Sequence, residues 1–289
     1  PGSPLGWIFV DWGYFPNEGP SDMSLNLHFI EGTRSMQRWC ILLGHEEKAV
    51  HYRQMEQQIT LAVQNWLNAV LSRDGWEKVG YHRACLALRA GLLDGALEEQ
   101  GVKYIKQHIL ACFPNREDAP RCWSPMVSDP MILTPYFSHF AFPPLIERGD
   151  MDFILDQFRT CWGWSMSGDR TTWLEVFDTG WSHSHHWSGC PTWQLSRYAL
   201  GLQTRFHLGM DHYVFNFHPG SLPRAGGRIV GGMAGSSISV EWKRDSGKIH
   251  YRLECPGKIT LHLPDSVSGG AEQPLQIEDR WEDLLPECF

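Results

Sequence analysis

One stretch of the sequence concentrates side chains that could act chemically on a polar substrate. Carboxylates, imidazoles and indoles alternate there with little core-like periodicity, from Thr171 to Asp178 and again from Ser182 to Trp193. Cleavage of a glycosidic bond needs a carboxylic acid to protonate the leaving oxygen and a carboxylate to activate water or attack carbon. Glu175, between Leu174 and Phe177, suits one of these roles. An isolated glutamate is more commonly a solvated surface residue, so this alternative stays open.

The histidines and the cysteine of this stretch favour neither a metal site nor a thiol nucleophile. His183 and His185 are two positions apart, but no matching set of Asp, Glu or Cys lies nearby in sequence. Hydrogen bonding to substrate hydroxyls or to Glu175 is the better interpretation, and a purely structural histidine is the alternative. Nothing else supports a Cys-His enzyme built on Cys190, and Pro191 indicates the first turn of a helix. We therefore expect no metal and no cofactor.

Composition argues against nucleic-acid and membrane partners. The 25 Lys and Arg against 33 Asp and Glu give a net charge of −8, with no basic run of the kind that nucleic-acid binding requires. The apolar stretches are interrupted well before the ~20 residues of a membrane span. The 14 tryptophans suggest carbohydrate handling, because an indole face stacks on the C–H face of a sugar, although most tryptophans are core residues. The oligomeric state is not predicted.

The cysteines and the first residues say little about the cellular compartment. None of the eight cysteines forms a C-x-x-C pair, so zinc and thioredoxin-like interpretations are weak. Cys112 and Cys122 flank a loop that a disulfide could close, but a chain of this length does not require one. The segment 1–7 lacks a basic region followed by an apolar one, so we expect no signal peptide in these residues. The compartment stays open, with a secreted location favoured.

The elements that must position these residues are predicted to be helices in pairs. Apolar residues at helical spacing predict one helix from Ser21 to Gly44 and a second from Glu46 to Ser72. Four prolines predict a long loop over 114–130. Further helical patterns cover 82–93, 97–112, 133–148, 151–162 and 191–201.

From about Asp211 the apolar period becomes alternating, which indicates strands. The β-rich runs are His212–Phe217, Ile229–Met233, Ile238–Trp242, Ile249–Leu253 and Ile259–Leu263. The helical and β portions are segregated, so this is not an alternating βαβ protein, and the tail after Ser266 is expected to wrap the surface. By analogy of architecture we predict a mainly α protein with a β domain. Residues 1–210 would form an (α/α) toroidal barrel, incomplete at its N-terminal side, and residues 211–289 an antiparallel β-sandwich with a C-terminal tail.

Four motifs in order resemble glycoside hydrolase family 78, the α-L-rhamnosidases. The family's Thr-Thr-x-x-Glu-x-x-Asp segment is matched by Thr171, Thr172, Glu175 and Asp178. Its Ser-x-x-His-x-Trp-Ser-x-x-Pro segment, opening a helix that ends in Leu-Gly, is matched by Ser182, His185, Trp187, Ser188, Pro191, Leu200 and Gly201. Asp11-Trp12 resembles the Gly-Asp-Trp segment with Val10 replacing Gly, and 235–242 with 251–257 resembles the terminal β-sandwich. The resemblance covers about Trp7 to Pro264.

This resemblance implies an inverting mechanism in which Glu175 is the general base that activates water. The substrate would be a rhamnose-containing carbohydrate. The implied substrate-binding residues, with tryptophans of the same region, are Asp11, Trp12, Trp164, Trp173, Asp178, His185 and Trp187. Family members carry the general acid on an upstream Asp-x-x-x-Glu-Arg segment, and nothing like it occurs here, since Asp11 is the first acidic residue. Either the N-terminal half is missing from this chain, or another chain complements it, or this chain is not competent alone.

Two other functions fit the same sequence. Other toroidal barrels are uronic-acid hydrolases or polysaccharide lyases, and a lyase could use His183, His185 or Tyr198 as its base. Arg170 and Arg197 could then neutralise the uronate. An unsaturated product absorbing in the ultraviolet would identify a lyase. The second alternative is a sugar-binding protein without catalysis, for which the missing acid segment is the best argument.

Overall fold

The computed structural model describes residues 9–14, 22–122, 129–231, 237–264 and 274–286. About 46% of the chain is helical, and the described part holds two sheets of four strands each, which confirms a mixed α plus β fold. The barrel and the sandwich stay predictions. Among the described helices, none is both long and apolar enough to cross a bilayer.

The chain divides into two compact units. The first comprises Pro1–Pro144 and Gln157–Ser188, and the second Leu145–Asp156 and Gly189–Phe289. The predicted domain boundary near residue 210 stays a prediction.

The first unit opens with a pair of long helices, as the apolar spacing predicts. Helix α1 begins after Asp22, whose carboxylate accepts a hydrogen bond from the Ser24 amide at 2.9 Å; Ser21 lies outside the described residues. Gly75, at φ +75°, follows the end of α2. The helices of this part are α1 (Met23–Leu42), α2 (Glu46–Asp74), α3 (Trp76–Val79), α4 (Tyr81–Arg89) and α5 (Gly95–Ala111).

Helix α4 is enclosed on all sides and carries polar residues into the interior. Every residue from Tyr81 to Leu88 is buried, including His82 and Arg83. Buried polar groups need partners, so a helix of this kind fixes its polar side chains firmly in place. His82 packs edge-on against Phe137 at a ring separation of 4.4 Å.

Of the two helices predicted next, that over 133–148 is shorter in the structure, whereas that over 151–162 is helical throughout. The helices of this part are α6 (Ser138–Ile146), α7 (Met151–Gln157), which continues as a π-helical turn over Phe158–Trp162, and α8 (Gly163–Ser165). The expected start near Leu133 moves to Ser138, because Pro135 disfavours helical geometry at Thr134. In the first unit, the rings of Phe142, Phe158 and Trp162 pack together at 5.5–5.9 Å.

The second unit contains α9 (Cys190–Gln194), extended by a π-helical turn over Leu195–Ala199, and both sheets. One sheet has the strand order β1-β2-β6-β7 and the other β3-β4-β5-β8. The strands are β1 (Leu202–Thr204), β2 (His212–Phe215), β3 (Arg224–Val230), β4 (Ser237–Asp245), β5 (Lys248–Glu254), β6 (Ile259–His262), β7 (Leu275–Ile277) and β8 (Arg280–Pro286).

Burial along the central strands follows the predicted alternation. Ile238, Val240 and Trp242 of β4 are buried, and so are Ile249 and Tyr251 of β5, whereas the residues between them face outward. Alternate side chains of a strand point to opposite faces, so this pattern gives the sheet one apolar and one polar face.

One strand prediction is wrong. The β portion is expected to be antiparallel throughout, but β2 and β6 pair in parallel, with His212 opposite Thr260. The alternating pattern marks a strand without giving the direction of its partner, and the long chain between these two strands allows a parallel pairing. The described part of the tail is mostly exposed, as the sequence predicts, and it also forms β7 and β8, of which β8 pairs with β5 from Lys248 to Glu254.

Candidate functional site

The loop that carries Glu175 is closed by two backbone hydrogen bonds. The Glu175 amide donates to the Ser182 carbonyl at 2.9 Å, and the His185 amide donates to the Trp173 carbonyl at 2.9 Å. The neighbours of Glu175 in sequence, Leu174 and Val176, are fully buried, whereas Glu175 itself is half-buried. The apolar side chains therefore anchor the loop and leave the carboxylate partly accessible.

An aromatic contact fixes this loop to the helical part of the first unit. The ring of Phe177 lies edge-on to Trp162 at 5.4 Å. The Trp162 indole N–H donates to the carbonyl of Ser188 at 2.7 Å. Trp162 thus holds the loop both near its middle and at its end.

The indole of Trp12 contacts the Glu175 carboxylate directly. Trp12 Nε1 donates to Glu175 Oε1 at 3.2 Å, a hydrogen bond in a partly buried setting. Phe9 and Trp181 each pack against the Trp12 ring at 4.9 Å. An indole among other rings has little freedom, so its N–H is a positioned donor.

Asp11 precedes Trp12 and is buried, with 3% of its surface exposed. Its Oδ2 accepts from the Thr134 hydroxyl at 2.6 Å and lies 3.3 Å from His82 Nε2. Gly13 follows at φ +77°, and a Cβ there would lie 3.0 Å from the Asp129 carbonyl oxygen. Glycine is therefore required for the turn that presents Asp11 and Trp12.

Three carboxylates act on one buried thiol. Burial, and after it the charges of Asp11, Asp178 and Glu175 in that order, raise the pKa of Cys122 to about 12. Asp178 is itself buried, and its carboxylate accepts from the Gly180 amide at 2.8 Å. Asp11, Asp178 and Glu175 therefore all lie within electrostatic reach of one buried thiol.

His185 and Trp187 belong to a second cluster, centred on Tyr136. The rings of His185 and Trp187 are edge-on at 5.5 Å, and Tyr136 lies 5.8 Å from Trp187. Burial and the charge of Asp11 raise the pKa of Tyr136, so this cluster lies within electrostatic reach of Asp11. His185 does not hydrogen-bond to Glu175 within the described residues; the expected proximity of their side chains stays a prediction.

The remaining predicted tryptophans have other surroundings. Trp164 packs edge-on against Phe113 at 4.8 Å, and its carbonyl accepts from Arg170 at 2.8 Å. Trp173 is half-buried and contributes its carbonyl to the loop closure described above. Their assignment to the sugar site stays a prediction.

Three of the groups named for the alternative chemistries are engaged in local contacts. The Tyr198 hydroxyl donates to Glu147 at 2.7 Å, the Arg170 guanidinium donates to the Ser165 carbonyl at 2.6 Å, and His183 Nε2 lies 2.8 Å from the Thr179 carbonyl. Within the part of the chain that the structure describes, no three His, Cys, Asp or Glu side chains come together as metal ligands.

The described cysteines are buried free thiols, so Cys112 and Cys122 are not bridged, and Cys288 lies outside the described residues. Burial raises the pKa of the Cys190 thiol well above its usual range, which opposes a nucleophilic role.

Several residues that shape this site were not predicted from the sequence. They are His82, Cys122, Thr134, Tyr136 and Trp181. Of these, only Trp181 could have been indicated by the sequence, because it lies between the two segments that resemble family motifs. The others approach Asp11 or Trp187 through tertiary contacts that no local pattern indicates.

Among the comparisons with known proteins, the comparison with solved structures gives a match. No protein-family model and no curated protein match the sequence. Among solved structures, an alpha-L-rhamnosidase from Dictyoglumus thermophilum matches with a TM-score of 0.68 and 15% sequence identity. The alignment covers 97% of this chain and 34% of that one, so the chain spans about a third of the length of its structural neighbour. At this identity the similarity shows the fold alone.

Proposed function

We propose that this chain carries the water-activating half of a glycoside hydrolase site, of the inverting α-L-rhamnosidase type. Glu175 would act as general base on the water that attacks the anomeric carbon. The observation that carries the proposal is the hydrogen bond from Trp12 to Glu175, which joins the two motif regions into one site. The fold similarity to a rhamnosidase supports the same assignment.

The geometry suits the work of a general base. The Trp12 N–H occupies one oxygen of the Glu175 carboxylate and fixes its orientation, which leaves the other oxygen for a water molecule. Asp11, held by Thr134 and His82, would be a second acceptor for sugar hydroxyls in the same region. Trp181, half-buried beside Trp12, would offer an apolar ring face to the sugar.

An inverting enzyme also needs a general acid about 6.5–9.5 Å from the base. These 289 residues contain no match to the Asp-x-x-x-Glu-Arg segment that the resemblance leads us to expect. We therefore propose that the chain binds L-rhamnose but does not hydrolyse rhamnosides by itself, and that the acid comes from a complementing portion.

Local contacts occupy two of the groups named for the lyase alternative, whereas His185 stays open as a lyase base. A lyase base must be free to remove a proton next to a carboxylate, with a cation beside it. Tyr198 already donates to Glu147, and Arg170 to backbone carbonyls.

Two measurements test the proposal. Titration calorimetry of this chain with L-rhamnose should show binding that survives Glu175→Gln, because the amide keeps the size of the side chain and an oxygen acceptor for Trp12. In a longer form that contains the acid segment, Glu175→Gln should lower turnover of 4-nitrophenyl α-L-rhamnoside by about 10²–10⁴-fold, as loss of a general base does.

Glu117→Gln is the matched control, because Glu117 is exposed on a loop of the same unit. It should change neither binding nor turnover. Hydrolysis by the 289-residue chain alone, absence of L-rhamnose binding, or unchanged turnover in the longer Glu175→Gln form would each contradict the proposal.

A further inference from the structure

The outer face of the sheet β3-β4-β5-β8 forms a groove of about 1080 Å³ that the site above does not use. It lies wholly within the second unit and is lined by residues of all four strands. Ligand sites in proteins commonly measure ~300–1,000 Å³, so the groove has room for several sugar rings.

One row of residues across this groove concentrates positive charge. Arg224 of β3 is opposite Lys243 of β4, and directly opposed like charges destabilise a sheet pair. His250 of β5 is the next residue of the row, opposite Lys243. Within the described residues, none of these three side chains has a hydrogen bond or an ion pair. The row therefore lacks the counter-charge that would offset its repulsion.

The next row on the same face is mixed in charge. Glu241, Arg252 and Glu282 are opposite one another on β4, β5 and β8, so two carboxylates accompany one guanidinium. Arg252 Nε lies 3.6 Å from Glu282, and Arg252 also pairs with Glu254. This mixed row presents hydrogen-bond donors and acceptors of the kind that contact hydroxyl groups.

Gly226 and Leu284 complete the surface. Gly226 stands opposite Glu241 in the mixed row, and the missing side chain deepens the groove there. Leu284, 53% exposed, stands opposite His250 and offers an apolar contact. Cations at one row, mixed polar groups at the next and an apolar rim match the chemistry of an acidic sugar.

We propose that this groove binds an acidic saccharide, with Arg224 and Lys243 contacting a carboxylate and the Glu241–Arg252–Glu282 row contacting hydroxyls. His250 and Leu284 would border the carboxylate-binding row. The site is independent of Glu175, and it gives the protein a second, charge-selective hold on a polymer that contains uronic acid.

The test is calorimetry of the full chain with a tetrasaccharide of galacturonic acid. The comparison ligand is the same tetrasaccharide with its carboxylates reduced to hydroxymethyl groups. The acidic form should bind at least about ten-fold more tightly, since each charged hydrogen bond contributes about that factor or more. The advantage should shrink as salt rises, because these charges are exposed.

Variants separate the groove from the rest of the protein. Arg224→Gln and Lys243→Gln should each weaken acidic binding about ten-fold, whereas Lys248→Gln, at the far end of β5, should not. Gly226→Phe should block binding without changing the charges, since a Cβ there meets nothing closer than 3.5 Å. Glu175→Gln should leave groove binding intact, so failure here and failure of the proposed hydrolase site are distinguishable. Equal binding of both tetrasaccharides, or unchanged binding by Arg224→Gln, would overturn the proposal.

Discussion

Trp12 Nε1 donates a hydrogen bond of 3.2 Å to Glu175 Oε1, across 163 positions of sequence. The donor follows a buried aspartate and the acceptor projects from a loop anchored by Leu174 and Val176. Since both ends are fixed by independent contacts, the bond holds a preset geometry between the two motif regions.

Removing this donor should weaken the site without disrupting its packing. Trp12→Phe keeps a ring between Phe9 and Trp181 but has no N–H. We expect L-rhamnose affinity to fall by about ten-fold and the free energy of unfolding by about 1–2 kcal/mol, as for a lost hydrogen bond to a carboxylate. Calorimetry and urea unfolding measure the two effects.

Trp39→Phe is the control, because Trp39 is 57% exposed on α1. It should change both quantities little. A double-mutant cycle of Trp12→Phe with Glu175→Ala, which removes the acceptor, isolates the pairwise energy. A coupling energy near zero would contradict the role given to this bond.

The carboxylate of Asp11 depends on Thr134 for its shortest hydrogen bond. Thr134→Val preserves shape but removes the hydroxyl that donates at 2.6 Å, which leaves His82 as a more distant partner. Burying a carboxylate with one fewer donor should lower the free energy of unfolding by about 1–3 kcal/mol. Thr160→Val, at an exposed position, should have little effect in the same urea titration. Equal stability of the two variants would show that Asp11 does not need the Thr134 hydroxyl.

The helices of the first unit could be predicted closely because their signal is local. The spacing of apolar residues placed α1, α2 and α5 within a few residues of their observed bounds. Strand pairing is not local, so the parallel pairing of β2 with β6 had no counterpart in the alternating pattern. β8 was missed because the acidic tail around Glu282 and Asp283 has few apolar residues to alternate.

The distinction between local and non-local signals also applies to the residues of the candidate site. Asp11 and Glu175 could be singled out because each lies in a short segment that resembles a family motif. Thr134 and His82 could not, since they reach Asp11 from 123 and 71 positions away. A side chain whose role is to position another side chain does not lie in a motif of its own, so the residues around it in the sequence do not reveal that role.

Acid should destabilise the first unit through His108. Burial, and then the charge of His82, lower the pKa of His108 from 6.5 to about 3. The folded state therefore keeps His108 neutral, whereas the unfolded chain takes up a proton as the pH falls below 6.5. The free energy of unfolding therefore falls as the pH is lowered from 6.5 towards 3, by a total of roughly 3–5 kcal/mol.

His108→Phe should remove this part of the pH dependence while keeping a ring stacked on Tyr81, which lies 4.5 Å away with an interplanar angle of 7°. Urea unfolding at pH 4, 5, 6 and 7.5 measures the difference between the two proteins. His51→Phe, at an exposed position of α2, should retain the slope of the unsubstituted protein. If His108→Phe also retained it, another group would be responsible.

Two glycine-to-alanine substitutions should change stability in opposite directions. Gly201 follows the π-helical end of α9 at φ +78°, and a Cβ there would lie 2.7 Å from Phe217 Cδ2 and 3.1 Å from its Cα. The backbone conformation and the overlap both oppose a side chain, so Gly201→Ala should lower the free energy of unfolding by roughly 2–4 kcal/mol.

Gly32 lies inside α1, and a Cβ there meets nothing within 4 Å. Alanine restricts the unfolded chain and favours a helix, so Gly32→Ala should raise stability by about 0.5–1 kcal/mol. Urea titration of both variants is the measurement, and a stable Gly201→Ala protein would mean that Phe217 does not pack against this turn.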